Sequence, residues 1–123
     1  MSAAAVLMAY GSPDRLADVP AYYADIRGGR SVRPELLEDL IERYRVLGIG
    51  EGADPSPLNR VTEETRAALE RALGLPVFTG MRHWEPRIAT AVDEALSGGA
   101  EALVQVLAGL VRRCLSDLNG GAA

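Results

Sequence analysis

The apolar run Ala4-Ala5-Val6-Leu7-Met8-Ala9 is halted by Gly11-Ser12-Pro13. It is too short for a stable helix, and its residues do not alternate between apolar and polar. Such a run predicts a strand buried on both faces. Strands of that kind belong to parallel sheets, whose neighbours cannot be joined by a tight turn. One short segment therefore requires the rest of the chain to supply further strands, and helices to cover them.

The rest of the pattern meets that requirement. Pro76-Val77-Phe78-Thr79-Gly80 reads as a second strand, and Ala102-Leu103-Val104-Gln105-Val106-Leu107-Ala108 as a third buried strand. The stretch between the first two is much longer than one crossover needs, and it holds three helical patterns. The first covers 19–26, with Pro20 in its first turn and Gly28-Gly29 as its stop. The second covers 34–47, with Leu36, Leu37, Leu40, Ile41, Tyr44 and Leu47 on one stripe. The third is expected to start at Thr62 as N-cap, with Glu63 and Glu64 favoured by the helix dipole, and to end at Gly74. Residues 48–57 hold three glycines and two prolines and read as a loop. After the second strand, Glu85 and Pro86 are expected to open a helix carrying Ile88, Ala91, Val92, Ala95 and Leu96, closed by Gly98-Gly99. The order is strand, three helices, strand, helix, strand. That is an α/β arrangement around a parallel sheet. Leu103, Val106, Leu107, Leu110, Val111, Cys114 and Leu118 also fit a single long helix; the strand is the reading adopted.

Composition narrows the function classes. At 123 residues with 48% hydrophobic and 24% charged, the chain is one ordinary globular domain at most. No apolar run approaches the ~20 residues of a membrane span. The start lacks a basic region, so a secretory signal is not expected and the cytoplasm is. Cys114 is the single cysteine, which excludes an internal disulfide. All 13 basic residues are arginine, a bias that GC-rich coding explains, and the net charge is −4. That balance argues against nucleic acid as a partner.

In open parallel sheets, ligands bind beyond the carboxyl ends of the strands. Those ends are Tyr10-Gly11-Ser12-Pro13 and Gly80-Met81-Arg82-His83-Trp84, the latter with the only histidine and the only tryptophan. Alone, a loop histidine or a strand-end tyrosine is an ordinary surface residue. Together, at two strand ends, they mark a candidate ligand site. Metal-ligand spacing, a phosphate loop and a serine nucleophile elbow are absent from the sequence. The residues by themselves thus lead to an α/β domain with an aromatic and histidine-lined site.

Four ordered blocks extend that reading. They are Met8-Ala9-Tyr10-Gly11-Ser12-Pro13, then Ile26-Arg27-Gly28-Gly29-Arg30, then Arg43-Tyr44 with Ser56-Pro57-Leu58-Asn59 and Thr62, then Gly80-Met81-Arg82-His83-Trp84-Glu85-Pro86. In order and spacing they resemble ferrochelatases, in particular the bacterial coproporphyrin type, over roughly residues 4 to 108. The resemblance implies a Rossmann-like parallel sheet with helices on both faces, as in one lobe of a class II chelatase. It implies insertion of ferrous iron, as substrate, into coproporphyrin III or protoporphyrin IX in haem biosynthesis, with no organic cofactor. Tyr10 would approach the porphyrin metal as an axial ligand. Tyr10, Ile26, Arg27, Arg43, Tyr44 and Ser56 would hold the porphyrin, the arginines through its propionates, since a guanidinium is a natural carboxylate partner. His83, at the edge of the same cleft, would be the catalytic candidate. Gripping the propionates would help distort the macrocycle toward metal entry. In the family, the base that removes the pyrrole protons and the iron site fall to a histidine and a glutamate in the second half of the chain.

The chain also departs from the family. The loop over 48–56 is a few residues longer than usual. After Ala108 the family continues with Pro-His and an aromatic-Ser pair, whereas this chain reads Gly109-Leu110-Val111-Arg112-Arg113-Cys114. The expectation is a chelatase-like lobe over 1–108, a divergent tail over 109–123, and a truncated, frameshifted or degraded coding sequence. Such a lobe is expected to be incomplete and inactive alone, to self-associate or to pair with a separate C-terminal lobe. Rival readings are a non-catalytic porphyrin- or haem-binding fragment and a small homodimeric chelatase of the sirohydrochlorin type. The single His83 weighs against the last, because those proteins depend on histidine ligands.

Overall fold

Strand β1, Ala3–Ala9, lies at the centre of a three-stranded sheet in a computed structural model that describes residues 2–50 and 55–108. Strand β2, Val77–Met81, pairs with it on one side and β3, Ala102–Leu107, on the other, both parallel. Ala5 faces Val77 across one ladder and Val104 across the other. The helices are α1, Val19–Ile26; α2, Pro34–Val46; α3, Pro57–Leu73; and α4, Ile88–Ser97. The expected α/β fold with a parallel sheet is therefore present, as far as one incomplete lobe.

The chain divides into two compact units, Met1–Tyr10 with Thr62–Ala123, and Gly11–Val61. In the first, Ala4, Ala5, Val6 and Leu7 are buried, as the unbroken apolar run requires. Small residues let helices approach both faces. Gly80 lies against Ile88 and Ala91 of α4. On the other face, Leu69 of α3 packs against the buried cluster that contains Ala5, Leu7 and Val77. The entry of β2 is held by side chains of α3. Glu70 Oε2 accepts the Val77 amide at 2.9 Å, and Arg66 Nη1 donates to the Val77 carbonyl at 3.1 Å. The Arg66–Glu63 hydrogen bond, helped by the charges of Glu63 and Glu70, raises the Arg66 pKa above its usual value despite partial burial.

The second unit has its own small core. Leu16, in a 3-10 turn over Leu16–Asp18, is buried, as are Val19, Tyr22 and Ile49. The rings of Tyr22 and Tyr44 meet edge to face at 6.1 Å. The Leu16 amide donates to the Gly50 carbonyl at 3.0 Å.

Several expectations are corrected here. Helix α3 begins at Pro57, so Thr62 lies within the helix and does not cap it. Ser56 takes the cap: its Oγ accepts the Asn59 amide at 3.1 Å, the bond that defines an N-cap. Helix α4 begins at Ile88, with Arg87 at its N-cap, because the Pro86 carbonyl turns back to accept the Met81 amide at 2.7 Å. Strand β3 is not fully buried: Val104 is 50% and Leu107 57% exposed, on opposite faces. It lies at the sheet's margin, where α3 and α4 cover its neighbours better. Its extended backbone over Ala102–Leu107 also sets aside the long-helix alternative there. The expected tail over 109–123 and residues 51–54 of the long loop lie outside the described residues.

Candidate functional site

Strands β2 and β3 leave β1 on opposite sides, so the chain changes direction beside the carboxyl end of β1. In open α/β sheets that switch point is where ligands settle. Tyr10 stands there, directly after β1, with its side chain 50% exposed. Two main-chain bonds join the chain at the strand ends: the Arg82 amide donates to the Ala9 carbonyl at 2.9 Å, and the His83 amide to the Tyr10 carbonyl at 3.1 Å. The two main chains are thereby locked in register, and the two rings meet. Their centroids are 4.7 Å apart at an interplanar angle of 66°, an edge contact. The predicted pair at two strand ends is thus a single physical unit.

The 82–87 loop that carries His83 is itself braced. Arg87 Nη1 donates to the Arg82 carbonyl at 2.9 Å, and Arg87 Nε to Glu85 at 3.1 Å. Met81 and Arg87 form an isolated parallel bridge. His83 and Trp84 are half-buried. A braced loop presents its side chains in fixed directions, which suits a binding group.

The remaining predicted residues belong to the unit over Gly11–Val61. Ile26 closes α1, and Arg27 follows as its C-cap residue, with its guanidinium over the Tyr23 ring at 5.9 Å. Arg43 and Tyr44 are neighbours on α2 but point to different tasks. Tyr44 packs on Tyr22, whereas Arg43 is exposed beside Val46 and Leu47. A shallow recess of about 430 Å³ is lined by Glu42, Arg43, Val46 and Leu47. Its surface is mainly apolar, with Glu42 and Arg43 at its border. Ser56 is only 1% exposed, and its hydroxyl is engaged as the α3 cap. Within this unit Ser56 and Tyr44 thus make architectural contacts, Arg27 is half-buried against Tyr23, and Arg43 is exposed.

Sequence reasoning missed a polar cluster in the same unit. Asn59 Nδ2 donates to the Ser12 carbonyl at 2.7 Å and to Asp14 Oδ1 at 2.8 Å. Asp14 Oδ1 also accepts the Ser56 amide at 3.1 Å. Tyr22 Oη donates to the Gly11 carbonyl at 2.8 Å. Together these bonds fasten the loop after β1 to the start of α3. The available signal was Ser56-Pro57, a capping residue followed by a first-turn proline. Nothing local announced Asp14 as its long-range partner. Among the described residues, no three of His, Cys, Asp and Glu converge as a metal site. No helix among them is long and apolar enough to cross a membrane.

Comparison with known proteins gives one consistent result. The family model described as ferrochelatase matches residues 2–108. A ferrochelatase of Acidobacterium capsulatum is 36% identical over 117 residues, covering 95% of this chain and 32% of that protein. A ferrochelatase of Deinococcus radiodurans is 37% identical over 110 residues, covering 83% of this chain and 32% of that protein. Coproporphyrin III ferrochelatase 1 of Bacillus cereus is 40% identical over 111 residues, covering 84% of this chain and 34% of that protein. The chain thus spans about a third of the length of the curated relatives it matches.

Proposed function

This chain belongs to the ferrochelatase family, and we propose that it supplies porphyrin-binding groups for insertion of ferrous iron into a porphyrin, a step of haem biosynthesis. The observation that carries this reading is Tyr10. Its half-exposed phenol stands at the carboxyl end of the central strand, beside the switch point of the sheet. A phenol oxygen in that place can serve as axial ligand to a metal at the centre of a macrocycle.

The arginines supply complementary chemistry. Arg27 and Arg43 are proposed to bind propionate carboxylates, which guanidinium forks accept with two parallel hydrogen bonds. The exposed Val46 and Leu47 beside Arg43 offer the apolar surface that a flat ring favours. Ile26 is proposed as apolar wall; Tyr44 and Ser56 support the substrate through the elements they brace. Iron is a substrate in this reading, and coproporphyrin III is the favoured porphyrin, by similarity to the Bacillus cereus relative named for it. The chain works in the cytoplasm, binds porphyrin without completing insertion on its own, and self-associates through β3.

Absorbance titration with coproporphyrin III tests the reading. The chain is expected to bind it, and iron(III) coproporphyrin III is expected to show a tyrosinate-to-iron absorption that Tyr10→Phe removes. Absence of porphyrin binding by the folded chain would sink the proposal.

A further inference from the structure

We propose that His83 is a positioning residue for Tyr10: its ring fixes the direction in which the phenol leaves the sheet, and it acts on a bound metal only through that phenol. The inference rests on the reading of Tyr10 as an axial ligand and assigns His83 a role within that site. Two contacts carry it. The main-chain bond from the His83 amide to the Tyr10 carbonyl, 3.1 Å long, sets the two residues side by side at the ends of adjacent strands. The edge contact of the rings, 4.7 Å between centroids, then occupies one flank of the tyrosine. Tyr10 is otherwise half-exposed.

A half-exposed aromatic without such a neighbour distributes over about three staggered wells of its first side-chain torsion. Only one of those wells carries the phenol oxygen to a given metal position. Apparent affinity falls by the fraction of molecules in the competent state. Removing the His83 ring is therefore expected to weaken axial ligation about threefold. Another flat ring at position 83 would keep the contact, because the edge arrangement depends on ring shape and quadrupole and not on an ionisable nitrogen. That separates positioning from direct catalysis, which phenylalanine could not perform.

The test compares the full chain with His83→Ala, His83→Phe and Tyr10→Phe, using iron(III) coproporphyrin III as the probe. The tyrosinate-to-iron absorption, defined by its loss in Tyr10→Phe, is expected to weaken in His83→Ala, with about threefold lower affinity. His83→Phe is expected to restore both. An unchanged band and affinity in His83→Ala would overturn the proposal, as would a folded His83→Phe that behaves like His83→Ala. Should the wild-type chain show no Tyr10-dependent band, the axial-ligand reading fails, and the porphyrin-free chain decides the positioning role. There, the Tyr10 ring signal of 13C-tyrosine-labelled protein is expected to be displaced by the neighbouring ring in wild type and His83→Phe, and to move to the free-tyrosine position in His83→Ala. A Tyr10 signal indifferent to His83→Ala would refute positioning outright.

Discussion

A β-carbon on Gly80 would stand 2.7 Å from the α-carbon of Ile88, inside the backbone of α4. The obstacle is main chain, so no rotamer change relieves it. Gly80→Ala must push α4 off β2 and is expected to destabilise the chain by about 1–3 kcal/mol. Urea unfolding of the two proteins measures this. Adding Ala91→Gly should not restore the loss, because Ile88 Cα remains in the way.

Thr79 carries the opposite sign. Its Oγ1 is buried with no hydrogen-bond partner among the described residues. Thr79→Val keeps the shape and removes the unpaired hydroxyl. A gain of about 1 kcal/mol in unfolding free energy is expected, read as a higher urea midpoint at unchanged slope.

Ser56 caps α3 through the Asn59 amide. Ser56→Ala is expected to cost about 1 kcal/mol, whereas Ser56→Asp retains most of it. Porphyrin affinity measured where every variant is fully folded separates this capping role from any contact with substrate.

Arg27 and Arg43 are proposed to bind carboxylates. Replacing either with methionine is expected to weaken coproporphyrin III binding by at least about tenfold, since charge-assisted hydrogen bonds are worth about 1.5–3 kcal/mol. A porphyrin with alkyl groups in place of propionates should bind wild type and variants alike. Equal losses for both porphyrins would show that the arginines act through folding.

Strand β3 contains neither a charge nor a proline, the devices that usually blunt a sheet edge, and Val104 is exposed. The purified chain is expected to self-associate. Val104→Lys should shift its sedimentation profile toward monomer, and an unchanged profile would place the contact elsewhere.

The strands and the centre of the α4 stripe, Ala91 and Ala95, were legible because burial writes itself into apolar periodicity, whereas Leu96 of that stripe is exposed. The strand reading at Ala102 held, but its full burial did not: apolar content reports what a strand can bury, not which neighbours are present to cover it. The start of α3 was misread because Thr62, Glu63 and Glu64 imitate a helix entrance. The real one lay in a segment whose glycines and prolines spoke for loop. At the candidate site, Tyr10 and His83 were separately visible as strand-end residues. Their ring contact depends on strand register, which pairs residues far apart in sequence. The cluster of Asp14, Ser56 and Asn59 was invisible for the same reason: its bonds span 42 and 45 residues.

The central place of β1 bears on synthesis. It emerges from the ribosome before either neighbour: Ala5 finds its partners at Val77 and Val104, roughly 70 and 100 residues later. At about 5–20 residues per second, its apolar run waits several seconds for the first of them. During that interval the nascent chain carries an unpaired apolar ribbon, open to association with other chains. Yield in the cell should therefore answer to translation speed as well as to the stability of the finished fold.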